Sequence, residues 1–138
     1  MALRHKAREC ALQMLYQWEI SGAEPKRVEA TFWKSTKGSP PARQLANTLF
    51  EGAAAGSAEA DRLIAAHAQN WRVERLAAID RNILRLAVFE LLRGENPPKV
   101  VINEALDLTK KFSEADAGPF VNAILDAIRK STEAPKQV

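Results

Sequence analysis

Basic side chains are concentrated at the very start of the chain. Arg4, His5, Lys6 and Arg8 place up to four hydrogen-bond donors within five residues, and the first acid, Glu9, comes only after them. Such a group can bind several phosphates. It also opens a predicted helix, where positive charge opposes the helix dipole and costs stability. A bound anion would reverse that penalty, which favours a phosphate ligand over the alternative, a solvated basic end without function.

Two aromatic residues could extend this site by stacking on bases. Tyr16 lies eight residues after Arg8, a little over two helical turns, and could project from the same side of the helix. An exposed tyrosine beside basic groups is typical of proteins that bind single-stranded RNA. Phe120 follows Asp116 and Pro119 near the start of the predicted last helix, where a phosphate could also bind. For both rings, packing against the core is the open alternative.

The sequence contains no recognisable catalytic or metal-binding motif. It has no glycine-rich phosphate loop, no H-E-x-x-H and no G-x-S-x-G. Cys10 is the only cysteine, which excludes an internal disulfide, and His5 and His67 are too few to complete a Cys/His zinc cage. A lone helical cysteine is most often a small core residue. We therefore predict no enzymatic reaction, no cofactor and no metal.

Composition is typical of one soluble globular domain. Of the 138 residues, 46% are apolar and 27% are charged. No apolar run approaches the roughly 20 residues that cross a bilayer, and the charged start does not resemble a secretory signal, so we predict a cytoplasmic protein. The net charge of +3 is uneven, since residues 1–43 hold 8 Lys/Arg against 4 Glu while the remainder holds 12 against 13. This distribution indicates a local anionic partner.

Helical periodicity accounts for the whole chain, and no stretch alternates convincingly with period 2, so the fold class is predicted to be all-α. The predicted helices cover about residues 4–20, 42–70 with a break near Gly56-Ser57, 79–94 and 119–130, with two more opening at Pro25 and after Asn96-Pro97-Pro98. The segment 79–94 is the most apolar and should be surrounded by other helices. Asp80 is predicted to be its N-cap.

Four segments together resemble the NusB family of bacterial transcription antitermination factors. These are "ARECALQMLYQWEI", "IDRNILRLAVFELL", "PKVVINEALDLTKKFS" and "FVNAILD", in the order and spacing of the family. The resemblance implies an all-helical domain of about seven helices in two packed bundles over residues 1–131. Residues 132–138 would then form a flexible C-terminal tail.

The resemblance also implies function. Family members pair with the ribosomal protein NusE, and the heterodimer binds single-stranded boxA RNA of nascent transcripts, notably ribosomal RNA. With other Nus factors they modify RNA polymerase so that it passes terminators, and no reaction is catalysed. Some relatives form homodimers that cover the RNA site. The rival interpretation is a non-catalytic helical protein–protein adaptor that does not bind RNA directly.

Site residues follow from the same resemblance. The family's basic RNA-binding start corresponds to Arg4, Lys6 and Arg8, with His5 between them. Its RNA-contacting tyrosine matches Tyr16, and the phenylalanine of its F-V-N motif matches Phe120. Acidic positions before the central and last helices match Asp80 and Asp116. A carboxylate at Asp116 would oppose RNA phosphate, so its removal should strengthen binding.

Overall fold

The described residues form seven α-helices and one short 3-10 turn. The computed structural model describes residues 2–68 and 73–132, and these ranges contain no β-strand, which confirms the all-α prediction. The helices are α1 (Ala2–Ser21), α2 (Pro25–Ser35), α3 (Pro40–Ala55), α4 (Ser57–His67), α5 (Ala78–Arg93), α6 (Pro98–Phe112) and α7 (Ala117–Thr132), and the 3-10 turn is Val73–Arg75. No helix in the described ranges is long and apolar enough to span a membrane.

The helices pack as two groups that share α5. Helix α1 packs most extensively against α3, with α2 alongside, while α4, α6 and α7 pack around α5. Helix α5 also contacts α1 and α3, and therefore joins the two bundles. Its side chains Ile83, Leu84, Leu86 and Val88 are fully buried, as predicted for a helix with neighbours on most sides.

Proline and glycine set most of the helix boundaries. Pro25, Pro40 and Pro98 each stand at the first turn of a helix, where the missing N–H costs nothing. Gly22 and Gly94 adopt left-handed φ angles of 72° and 74° just after α1 and α5. The start at Pro25, the ends at Gly22 and Gly94 and the break at Gly56 agree with the predicted segments, whereas α3 begins two residues before the predicted start at 42 and α6 begins at Pro98 itself.

Two local predictions are wrong. Asp80 is not an N-cap, because α5 begins at Ala78 and Ala77 holds the cap position without a side-chain hydrogen bond. Asp80 lies instead in the first turn, where a carboxylate suits the helix dipole. Helix α7 begins two residues before Pro119 and continues to Thr132, so the first residue of the predicted tail is helical. The remaining tail residues, 133–138, lie outside the described residues.

Candidate nucleic-acid interface

Helix α1 separates a buried face from an exposed one. The buried face packs into the core through the fully buried Ala7, Ala11, Leu12, Met14 and Leu15. The exposed face carries Lys6 near the start of the helix and Tyr16, Gln17 and Ile20 further along. The Tyr16 side chain is 41% exposed, so its ring is available for stacking. Cys10 is buried, and burial raises the pKa of its thiol, as expected for a core cysteine.

Arg8 does not point outward. Only 4% of the residue is exposed, and its Nε and Nη2 atoms each donate a hydrogen bond of 2.8 Å to the carboxylate of Glu90 on α5. These hydrogen bonds hold the pKa of Arg8 above its ordinary value, against the opposing effect of burial. The prediction that Arg8 and Tyr16 share a side of the helix is wrong, because Arg8 packs into the interior while Tyr16 is exposed.

Arg4 and Lys6 are the outward-facing cations of the basic start. Arg4 donates from Nη1 to Oδ1 of Asn96 at 2.7 Å, which ties the first turn of α1 to the α5–α6 connection. Lys6 is exposed, and no hydrogen bond or ion pair of its side chain is found in the described part of the chain. Both charges can therefore reach a phosphate without breaking a buried ion pair.

His5 lies half-buried between α1 and α6. Its Nδ1 atom is 3.1 Å from Oε1 of Glu104, and its Nε2 atom is 3.0 Å from Oε2 of Glu9. Glu9 is itself buried and also binds Lys111 Nζ at 3.0 Å. Among the described residues, His5, Glu104 and Asp107 are the one group of histidine and carboxylate side chains close enough to share a metal ion.

The remaining predicted site residues lie around the ends of α5, α6 and α7. Asp80 accepts a hydrogen bond from the Ser113 hydroxyl just after α6. Asp116 is exposed in the α6–α7 connection, and Phe120 is partly buried against the core in the first turn of α7.

These residues and Tyr16 lie toward the same end of the molecule. Helix α6 runs in the same direction as α1, because His5 meets Glu104 and Glu9 meets Lys111. Tyr16 lies three turns beyond His5 on the same face of α1. The structure thus separates the predicted set into an exposed group, Arg4, Lys6 and Tyr16, the half-buried His5 and the buried Arg8, with Asp80, Asp116 and Phe120 along the α6–α7 margin.

Sequence reasoning missed the partners that fix the basic start. Glu90, Asn96 and Glu104 hold Arg8, Arg4 and His5, and all three partners are more than eighty positions away along the chain. One local signal exists, since Glu90 is a charged residue within a helix that is otherwise apolar on most of its faces. A buried carboxylate there requires a cationic partner.

Two arginines of α5, Arg81 and Arg85, form ion pairs within the protein. Arg85 forms two hydrogen bonds of 2.8 Å with Asp61 and one with Glu19, and Arg81 binds Glu19 and the carbonyl oxygens of Val73 and Leu76. Although burial opposes the charge of Arg85, the hydrogen bonds that Arg85 donates to Asp61 raise its pKa above the ordinary value. These side chains fasten α4 and the 3-10 turn to α5 and are not free for RNA.

Together, the fold and the basic, tyrosine-bearing face of α1 define an all-α protein with a candidate surface for single-stranded nucleic acid. Comparison with known families is consistent with this class, since the model of the NusB family matches residues 5–130. The chain therefore belongs to the NusB family.

Individual relatives agree over nearly the whole chain. The transcription antitermination protein NusB of Sorangium cellulosum is 42% identical over 132 residues, covering 95% of this chain and 94% of that protein. NusB of Anaeromyxobacter dehalogenans is 46% identical over 128 residues, covering 91% and 89%. A chain in a crystal structure of the antitermination factors NusB and NusE in complex with double-stranded RNA superposes with a TM-score of 0.83 at 34% identity, covering 95% of this chain and 98% of that one.

Proposed function

We propose that this chain is a transcription antitermination factor that binds boxA RNA of nascent transcripts as a heterodimer with NusE. In a larger assembly with other Nus factors it would modify RNA polymerase to read through terminators, notably in ribosomal RNA operons, and it would do so in the cytoplasm. The observation that carries the proposal is the exposed Tyr16 on the same outward face of α1 as Lys6, in a member of the NusB family.

The outward side chains define the RNA contacts of this proposal. Arg4 and Lys6 bind two phosphates, and Tyr16 stacks on an unpaired base. Asp80, Asp116 and Phe120 border the path of the RNA. His5 can reach the RNA only when it leaves Glu104. Arg8 is buried and does not contact the RNA. Its ion pair with Glu90 holds in place the turn of α1 that carries Arg4 and Lys6.

These contacts are too few for tight binding by the chain alone. Two phosphates give a salt slope of about −1.4 in log K against log salt, at about 0.7 per phosphate on a single strand. One stacked base adds about 1 to 3 kcal/mol. A partner that supplies further RNA surface is therefore required, and NusE is the partner in the similar complex.

The test is binding of a fluorescent boxA-like RNA and of a scrambled RNA with the same composition. Each is titrated with the chain alone and with an equimolar NusE complex at several salt concentrations. We expect NusE to create tight binding that prefers boxA over the scrambled sequence. Equal, weak binding of both RNAs in the presence of NusE would overturn the RNA role.

One observation favours a second candidate, a helical adaptor that binds only proteins. Two of the four basic residues already have partners within the protein, since Arg8 is buried against Glu90 and the partly exposed His5 is held by Glu9 and Glu104. The adaptor interpretation predicts that Arg4→Ala with Lys6→Ala leaves the NusE complex and its RNA affinity unchanged. A homodimer that covers the exposed face of α1 remains a prediction of the family resemblance, and sedimentation of the chain with and without RNA tests it.

A further inference from the structure

The His5 ring faces a carboxylate from each of its two nitrogens. Nδ1 is 3.1 Å from a Glu104 oxygen, and Nε2 is 3.0 Å from a Glu9 oxygen. A neutral imidazole carries one N–H and can donate to only one of them, which leaves a lone pair directed at the other carboxylate. A metal ion at that nitrogen would satisfy both the lone pair and the facing carboxylate.

The surrounding charges leave the Glu104 side of the ring short of cations. Arg8 is bound by both carboxylate oxygens of Glu90, and Lys111 binds Glu9. Glu104 has only a longer contact with Arg8, 3.6 Å from Nη1. Asp107, one helical turn further along α6, is exposed and forms no hydrogen bond or ion pair with any other residue that the structure describes. Two carboxylates thus face the ring without a dedicated cation.

We propose that His5, Glu104 and Asp107 form a Zn²⁺ site between α1 and α6. Ligand atoms of the three side chains lie within 4.8 Å of one another. In a tetrahedral zinc site they would stand about 3.4 Å apart, given bonds of roughly 2.0 to 2.2 Å, so a small closing movement of flexible side chains is sufficient. The exposed Asp107 leaves the fourth position open to water.

Glu9 would orient the His5 ring for metal binding. Metal-binding histidines usually donate their second ring N–H to a carboxylate, which fixes the tautomer and the orientation of the ring. The Nε2–H of His5 can donate to the buried Glu9, which directs the Nδ1 lone pair toward Glu104. One nitrogen and two carboxylate ligands suit Zn²⁺ better than Mg²⁺ or Ca²⁺, which prefer oxygen alone. This inference does not rest on the proposed RNA function.

The first measurement is calorimetric titration of Zn²⁺ into the full, untagged chain after treatment with a chelator, near neutral pH. We expect one saturable site per chain. His5→Gln and Asp107→Asn should each weaken it by at least about 10-fold, and Glu9→Gln by about 10- to 100-fold, as for other carboxylates that orient a metal-bound histidine. Circular dichroism establishes that each variant keeps its helical content.

His67→Gln is the matched control, because His67 is the only other histidine and lies on α4. It should bind Zn²⁺ as the unchanged chain does. The absence of saturable Zn²⁺ binding, or an equal loss in the His67 and His5 variants, would overturn the proposal and leave His5 with a structural role between Glu9 and Glu104. Titration of Co²⁺ gives an independent readout, because visible absorption bands of a tetrahedral site should appear in the unchanged chain and be lost in His5→Gln.

Discussion

Arg8 on α1 and Glu90 on α5 are joined by two hydrogen bonds of 2.8 Å in an interior where each side chain is only 5% exposed. Breaking such a pair from one side leaves the other charge buried without compensation. We expect Arg8→Ala to lower the free energy of unfolding by about 3 to 5 kcal/mol, measured by urea denaturation.

Two further variants test whether the loss of stability in Arg8→Ala comes from the broken ion pair or from other effects of the substitution. Arg62→Ala removes an arginine from the exposed pair with Glu59 and should leave the stability unchanged. Arg8→Met combined with Glu90→Leu replaces both charges by apolar groups and should recover most of the lost stability. A double variant as unstable as Arg8→Ala would show that the cost lies in packing and not in the unpaired charge.

Tyr16 should contribute stacking energy to RNA binding. Tyr16→Ala is expected to weaken binding of boxA RNA by the NusE complex about 5- to 150-fold, since one stacked base is worth about 1 to 3 kcal/mol. Tyr16→Phe retains the ring and should bind nearly as the unchanged chain does. Fluorescence anisotropy at fixed salt measures both, and an equal loss in the two variants would assign the effect to the hydroxyl.

The charges of Arg4 and Lys6 should contribute to the salt dependence of RNA binding. Removing Arg4 and Lys6 together should reduce the magnitude of the salt slope by about 1.4, at about 0.7 per phosphate. The matched control is Lys34→Ala with Lys37→Ala, which removes the same charge from the exposed end of α2 and its following connection. If both double variants lower the slope equally, the effect reflects net charge and not a phosphate contact.

The carboxylate of Asp116 should weaken RNA binding, in contrast to the cations Arg4 and Lys6. It is exposed beside the first turn of α7, where its carboxylate would repel nearby RNA phosphates. We expect Asp116→Asn to strengthen RNA binding, most clearly at low salt where screening is weakest. Glu59→Gln on α4 changes the net charge equally and should have no comparable effect. Weaker binding by Asp116→Asn would instead identify Asp116 as a direct contact.

Glu29 on α2 should make stability depend on pH. The residue is buried, one carboxylate oxygen has no hydrogen-bond partner, and burial together with the neighbouring Glu51 raises its pKa from 4.5 to about 7, although Lys26 opposes this. The folded chain therefore holds a proton that the unfolded chain has released, so the Glu29 contribution to stability falls as the pH rises from 4.5 toward 7.

Urea denaturation of Glu29→Gln across this pH range tests the assignment. The variant should lose this part of the pH dependence and be more stable than the unchanged chain at neutral pH. Glu51→Gln should weaken the same pH dependence, because it removes the neighbouring carboxylate. An unchanged pH profile in Glu29→Gln would exclude Glu29 as its source.

Local signals were sufficient to predict the helices. The periodicity of apolar residues, three prolines at helix starts and Gly94 at a helix end are properties of short segments, and the structure agrees with them. The surface of α1 was harder to predict. Arg8 is buried because it binds Glu90 on α5, which lies 82 positions away along the chain, whereas Tyr16 stays exposed. The carboxylates beside His5 were missed for the same reason, since an inventory of cysteine and histidine contains no information about Glu104 and Asp107.

The distance between α1 and its partners also bears on synthesis of the chain. The first helix is synthesised long before Glu90 and Lys111. Arg8 therefore cannot bind Glu90, and Glu9 cannot bind Lys111, until most of the chain has been made. Contacts so distant in sequence slow the completion of folding even in an all-helical protein. The positively charged start thus lacks its contacts with α5 and α6 throughout most of translation. It reaches its final orientation only when α5 and α6 pack against it.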